Sequence, residues 1–499
     1  MIVDCHAHLP RAGAANSAED VPADGWANGV SVTMVSSLGE WSPFPDEREV
    51  AEANLSARRF AETLPDRVRW YVYLNPLNEN WRRELDEGIA AGAVGIKLWI
   101  SLKDNSGDMS RTSEVLGRAG ELDVPVLFHT YNRTDDLLPG ELDVRDVADL
   151  ARRFPATKMI AAHAGGNWRQ TMAILHDGPP NTFVDISGCY PEAGMVDGLV
   201  AALGRERVLF GSDLPARTVA SQLAKVLFSG LDDESKEDVL WRNAARLFRL
   251  ENLAASESSR GDPISGTPDV GTDHFCFSGS VPFFPAGCSC DELDARLASI
   301  DVETAYVADL RALFTRDLAE ANAALLRAAR KTQRIKPLSV VNPRSHDWRA
   351  VVDFACDDFA GVMVSPYVQD WRLDDETHAE LFRLLSERRR PVWVNCALGD
   401  HRFRHSALAS RPVSGKEVGR FLGQAPRNRY VFQGLGLAEI SAAARCAEHP
   451  EDVRFEVSRL TDKPGALREA MGLYGDRLVL GSEFPLRDLD QVAWTMPRV

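Results

Sequence analysis

The sequence predicts an α/β chain of two tandem (β/α)8 (TIM) barrels, and three observations carry that expectation. Eight short apolar runs alternate with amphipathic stretches over the first half of the chain. A stretch rich in Ser, Gly and Pro, LAASESSRGDPISGT (253–267), then interrupts the pattern as a linker. Beyond it, motifs of the first half recur in the same order at nearly one spacing.

The eight runs are IVDC (2–5), VTMVSSL (32–38), VRWYVYLNP (68–76), VGIKLWI (94–100), PVLFHT (125–130), KMIAAH (158–163), TFVDIS (182–187) and RVLFGSD (207–213). Each is short enough for a buried strand. Segments 47–63, 79–91, 111–122, 142–154, 195–203 and 217–228 lie between them. They carry apolar residues at three-to-four spacing with Arg, Asp and Glu interleaved, as helices do. A doubly wound sheet would want a glycine fingerprint after its first strand, and none follows this one.

The repeat is read from paired segments. IKPLSVVNPRSHDWR (335–349) matches VRWYVYLNPLNENWR (68–82), and RPVWVN (390–395) matches VPVLFH (124–129). The offset runs from 266 residues (Gly95 to Gly361) to 270 residues (Asp213 to Glu483). The expected organisation is a barrel over 1–252, a linker over 253–267 and a second barrel over 268–499.

At 499 residues the chain exceeds one ordinary core. A hydrophobic fraction of 44% and a charged fraction of 26% suit a soluble globular protein. The net charge of −16 carries no basic stripe, so nucleic acid is not an expected partner. No apolar run reaches the ~18 residues of a membrane span. The N-terminus lacks the basic and apolar regions of a signal peptide, so the expected location is cytoplasmic. The eight cysteines are scattered and read as reduced thiols.

Polar residues stand where the first-half strands end. His6 and His8 are two apart, hence on one face of a strand. Lys97, His129, His163 and Asp213 close later strands. In a barrel the C-terminal strand ends meet at one mouth, which brings these groups together. A lone histidine at a strand end is more often structural, and Asp213 by itself could cap a helix. The full set points to a metal site, and imidazole with carboxylate suits zinc, manganese or iron.

The ordered set HxH, PVLFHT, AAHAGG, GSDLP and NAARLF (243–248) resembles the amidohydrolase superfamily, in particular its amidohydrolase-2 branch. That branch includes metal-dependent hydrolases, lactonases and non-oxidative decarboxylases similar to aminocarboxymuconate-semialdehyde decarboxylase. The resemblance spans residues 1–250 and extends to 270–490 as a fold only. It implies that His6, His8, His129 and Asp213 bind one divalent ion, zinc first among the candidates. It also implies that His163 serves as acid/base, with Asp213 able to take a proton from the metal's water. In binuclear relatives a lysine ending the fourth strand is carboxylated and bridges two ions. Lys97 stands there, but the branch typically keeps one metal, so Lys97 stays outside the expected ligand set.

Trp99, Arg133, Arg169 and Arg217 follow the strand ends and are the expected substrate contacts, the arginines as clamps for a carboxylate. Tyr131, Asn132, Trp168, Cys189 and Tyr190 follow the same strand ends. The expected activity is hydrolysis of a small, carboxylate-bearing amide, ester or lactone by a metal-activated water. The alternatives are a metal-dependent decarboxylase and a non-enzymatic scaffold. In the second half Phe275, Phe277, Met363, Asn395, Gln433 and Glu483 align with His6, His8, Lys97, His129, His163 and Asp213. Phenylalanine cannot ligate a metal, so the second barrel is expected to be catalytically dead, its mouth closed or apolar. The two modules are expected to form an intramolecular pseudo-dimer.

Overall fold

The first strand, β1 (Val3–His8), is buried along its whole length and runs one turn of sequence further than its apolar residues alone suggest. His6 and His8 therefore belong to the strand itself. In the computed structural model, residues 1–11, 20–132, 137–250, 271–282, 284–400, 402, 405 and 411–496 are described. The chain divides into two units, Met1–Asp262 and Pro263–Val499. The expected linker at 253–267 and the limits drawn at 252 and 268 lie outside the described residues.

In the first unit β1 is followed by β2 (Val32–Ser36), β3 (Val68–Leu74), β4 (Gly95–Leu98), β5 (Val126–Phe128), β6 (Met159–Ala161), β7 (Thr182–Asp185) and β8 (Val208–Leu209). Each strand pairs in parallel with the next in sequence order. Bonds from Cys5 N–H to the Phe210 carbonyl (3.0 Å) and from His8 N–H to the Leu214 carbonyl (2.7 Å) join the last strand's end to the first. The result is the expected (β/α)8 barrel. The β1–β2 ladder shifts register between Asp4 and Ala7, a bulge of the kind that re-aims side chains beside active sites.

Some helices between the strands start on their own side chains. Asp46 with Glu49 and Asp143 with Asp146 form capping boxes on helices Glu47–Thr63 and Val144–Arg153. Below the mouth, Val3, Cys5, Val32, Met34, Tyr71, Leu127, Ile160 and Leu209 pack with Leu247 and Phe248 into one apolar core. Strands β6 and β8 are shorter than their apolar runs. The backbone turns left-handed at His163 (φ 61°), two residues past β6, and at Asp213 (φ 63°), four residues past β8.

The second unit holds β9 (Thr272–Val281), β10 (Phe284–Cys288), β11 (Thr304–Asp309), β12 (Ile335–Val340), β13 (Gly361–Val364), β14 (Val392–Asn395), β15 (Tyr430–Gln433), β16 (Val453–Glu456) and β17 (Leu478–Val479). Eight of these run parallel in sequence order, and His274 N–H bonds the Leu480 carbonyl at 2.8 Å across the closing seam. β10 is an added antiparallel partner of β9 that the apolar pattern did not announce. Among the described residues no helix is long and apolar enough to cross a membrane, and the described cysteines are free thiols.

Candidate metal centre

Four imidazoles, one carboxylate and one ammonium converge at the C-terminal ends of the first unit's strands. His6 and His8 come from β1, with their Nε2 atoms 3.2 Å apart. Asp213 places Oδ1 at 3.9 Å from His6 Nε2 and 3.6 Å from His8 Nε2. His163 follows β6, and its Nε2 lies 3.2 Å from Nδ1 of His129, which follows β5. One ligand atom each from His6, His163 and Asp213 lies within 4.8 Å of the others. Lys97 on β4 is fully buried and sets Nζ at 2.9 Å from His6 Nε2.

The outer ring nitrogens are anchored, and the anchors assign the ring protons. His6 Nδ1 donates to Asp185 Oδ2 at 2.9 Å. Ser187 Oγ donates to Asp185 Oδ1 at 2.5 Å and accepts from His163 Nδ1 at 3.0 Å. His129 Nε2 donates to Glu141 Oε1 at 3.1 Å. His8 Nδ1 meets Ser36 Oγ at 2.8 Å. With those protons spent outward, the inward nitrogens of His6, His129 and His163 present lone pairs. On that assignment two of them, on His129 and His163, face one another at 3.2 Å as lone pairs. Facing lone pairs at that distance call for a cation, and spacings of 3.2 to 3.9 Å between donors suit a small ion about 2 Å from each nitrogen or oxygen. The donor set fits a divalent metal.

The electrostatics agree with that donor set. Burial, with the Lys97 charge behind it, holds His6 and His8 well below the usual imidazole range. Burial and the neighbouring His6 do the same to His163. All three are neutral near pH 7, the form that donates a lone pair. Burial also pulls Lys97 down to about 8, opposed by the Asp213 and Asp185 carboxylates.

The loop after β6 runs through four left-handed residues, His163, Ala164, Gly165 and Gly166. His163 N–H donates to Asp185 Oδ1 at 3.0 Å, so one carboxylate on β7 orients both His6 and His163. Such strain in a non-glycine pair is held by its surroundings and gathers at functional sites. Gly188 stands over His163: at φ 70°, a Cβ there would lie 2.2 Å from His163 Nδ1.

The expected substrate contacts are placed unevenly. Trp99 lies at the mouth, its ring 6.4 Å from His129 and 6.0 Å from Trp41. Arg169 is bound to Glu192 at 2.8 Å and stacks 4.2 Å over Trp168. Arg217 is buried and donates through Nε to the Gly188 carbonyl at 2.9 Å. Arg133 lies outside the described residues. Tyr131 packs 5.1 Å from both His129 and His163.

Sequence reasoning overlooked Asp185, Ser187, Ser36 and Glu141. Asp185 left a trace, a carboxylate inside the apolar run TFVDIS. Glu141 left none, because it sits in a polar loop with no period.

In the second unit Phe275 and Phe277 are buried with ring centroids 5.4 Å apart. The mouth is nevertheless not purely apolar. Glu483 is buried there and accepts the Gly399 N–H at 2.5 Å, while buried Glu456 binds Ser458. The ladder also corrects one alignment. Asn395 pairs with Gln433, whereas Phe128, one residue before His129, pairs with Ala161. Gln433 therefore takes the place of Ala162, and Gly434 that of His163. Gly434 shares the left-handed turn at φ 77° and sends its N–H to Glu456, as His163 does to Asp185.

Residues 3–250 match the family described as amidohydrolase. No curated protein matches the chain. Among solved structures the chain is similar to 2,6-dihydroxybenzoate decarboxylase from Rhizobium, at 17% identity and a TM-score of 0.40, over 50% of this chain and 99% of that one. It is similar to a dihydroxybenzoic acid decarboxylase from Polaromonas sp. JS666 with bound manganese and 2-nitroresorcinol, at 17% and 0.39, over 50% and 97%. It is also similar to a putative 2-pyrone-4,6-dicarboxylic acid hydrolase from Pseudomonas putida, at 21% and 0.39, over 50% and 98%.

Proposed function

Residues 3–250 belong to the amidohydrolase family, and from that premise we propose that the first unit is a metal-dependent hydrolase of a small, carboxylate-bearing amide, ester or lactone. The observation that supports this reading is the cluster of His6, His163 and Asp213 within 4.8 Å, with His8 Nε2 3.2 Å from His6 Nε2 and His129 Nδ1 3.2 Å from His163 Nε2. His6, His8, His129 and Asp213 would hold one divalent ion, zinc first among the candidates. Such an ion supplies Lewis acidity and brings the pKa of a bound water toward 7.

The chain's own groups divide the proton work. Asp213, on a left-handed turn at the eighth strand's end, takes a proton from the attacking water. His163, neutral near pH 7 and held by Ser187, accepts or returns a proton at Nε2 on the substrate side. Trp99, Arg133, Arg169 and Arg217 are the proposed substrate contacts. Asp185 holds His6 and the His163 backbone in one geometry, which is what lets two histidines from distant strands act together. The second unit carries Phe275 and Phe277 where His6 and His8 stand and is proposed to do no chemistry.

Metal analysis of the purified full chain tests the reading. About one ion per chain is expected, and replacing His6→Ala with His8→Ala should remove both metal and activity. Two ions, with Lys97 carboxylated, would overturn the single-ion assignment. A chain that takes up no ion would return the protein to a scaffold. The rate should rise with pH through ~7, and His163→Asn should depress turnover with metal content kept. Release of CO₂ from the substrate would turn the activity to decarboxylation, which the same residues can serve.

A further inference from the structure

Glu141 is one of the few carboxylates buried to 1% exposure in the first unit, and its place is built from the backbone up. The chain after β5 returns alongside that strand's end through a parallel bridge between Thr130 and Leu142. Leu102 N–H bonds the Gly140 carbonyl at 3.1 Å, and Glu141 N–H bonds the Leu138 carbonyl at 2.9 Å. The next helix, Val144–Arg153, begins at once on the Asp143 capping box. The Glu141 backbone is thus fixed from three sides before its side chain makes any contact.

The carboxyl then spans two donors. Oε2 accepts the Leu138 N–H at 2.9 Å, and Oε1 accepts His129 Nε2 at 3.1 Å. An ionised carboxylate taken out of water costs several kcal/mol unless charged or strongly polar partners compensate it. The bond to His129 commits that ring to a single tautomer, Nε2–H outward and Nδ1 inward. His129 is alone among the four imidazoles in this: His6 and His163 are anchored through Nδ1 and point Nε2 inward. Without a partner on Nε2, part of the population would take the Nδ1–H tautomer, the minor form of a free neutral histidine. The ring would then face His163 with a proton in place of a lone pair.

We infer that Glu141 is the positioning residue for His129, fixing its tautomer and raising the basicity of Nδ1 toward the metal centre. Asp185 does the corresponding work for His6, so two of the site's imidazoles carry a carboxylate partner while His8 and His163 carry hydroxyls. This inference rests on the reading of His129 as a metal donor. Losing such an outer partner typically weakens metal affinity 10- to 100-fold.

The test is metal affinity of the full chain, stripped of metal and titrated with zinc against a chromophoric chelator. Glu141→Gln keeps an acceptor for the Leu138 N–H and removes the charge; it should weaken zinc binding about tenfold. Glu141→Ala should approach a hundredfold loss. Both effects should vanish in a His129→Asn background, because a residue acting through His129 has nothing to act on there. Wild-type affinity in Glu141→Gln overturns the inference, as does an equal loss with and without His129. A wild-type chain that binds no zinc, manganese or iron overturns the metal-site reading and this inference together. Failure of the Glu141 variants alone leaves that reading standing.

Discussion

Adding one methyl group at Gly188 should disable the first unit's site without removing any polar group from it. Gly188 has φ 70°, and a Cβ there would lie 2.2 Å from His163 Nδ1, 2.8 Å from its Cε1 and 3.0 Å from Asp213 Oδ2. Ordinary contacts need more than ~3 Å, so the imidazole must retreat by about 1 Å or the loop must rise. The loop is pinned, because Arg217 Nε holds the Gly188 carbonyl at 2.9 Å. The ring is pinned too, by Ser187 at 3.0 Å. A displacement of ~1 Å in a catalytic group costs about 10²-fold in rate. The left-handed backbone adds roughly 1–2 kcal/mol against any Cβ, lowering the first unit's unfolding midpoint by ~2–8 °C. Gly92→Ala is the control: its φ is 92°, and its Cβ would meet nothing within 4 Å. Gly188→Ala should lose more stability than Gly92→Ala, because only its Cβ meets other atoms, and it alone should lose about a hundredfold in turnover. If Gly188→Ala matched Gly92→Ala within twofold in turnover, the packing of this loop on His163 would not be what fixes the site.

Two further outcomes concern the second unit. Phe275→Ala, at a fully buried ring packed edge-on against Phe277, should cost roughly 3–5 kcal/mol in the second unit's unfolding transition, with the first unit's metal content intact; unchanged stability with altered turnover would make that unit a participant in the chemistry. Burial raises Glu456 from 4.5 to about 7, so the folded state holds its proton more tightly than the unfolded chain does. Its contribution is fully present below pH 4.5 and is lost as pH rises through about 7, roughly 3 kcal/mol across that window, a slope that denaturant melts should show in the wild type and not in Glu456→Gln.

The barrels were legible because parallel strands are short, apolar and regularly spaced, and because the strand ends His6, His8, His129, His163 and Asp213 have fixed places in that spacing. What escaped has a physical reason in each case. The left-handed turn at His163 depends on the bond from its N–H to Asp185, 22 residues away, and no local propensity encodes that. Glu141 reaches His129 through a loop whose course is set by bridges to other loops. The contact of Lys97 Nζ with His6 at 2.9 Å follows from a side chain long enough to cross the mouth, which strand position alone does not give. The mistaken pairing of Gln433 with His163 arose from counting along the sequence, where the ladder counts across strands and arrives one residue later.

The two units also separate framework from chemistry. In both, an aspartate on the first strand accepts backbone N–H bonds from two residues along that strand and from the serine after the eighth: Asp4 from His6 and Ser212, Asp273 from Phe275 and Ser482. Both turn left-handed at the next residue, Asp213 or Glu483, and both bury an arginine that bonds a carbonyl in the loop after the seventh strand. These devices persist where no histidine pair stands, so they serve closure of the barrel. Asp4, raised to about 7 by its burial, is accordingly a seam residue despite standing two positions from His6. Asp213 has a carboxylate counterpart in Glu483, whose Oε1 is taken by the Gly399 N–H, so an acid at this turn is not by itself a sign of a metal site. The positions that change character between the units are His6, His8, Lys97, His129 and His163, replaced by Phe275, Phe277, Met363, Asn395 and Gly434. A framework common to both cannot require those five side chains in the first unit, which leaves the chemistry at its mouth as the reason for them.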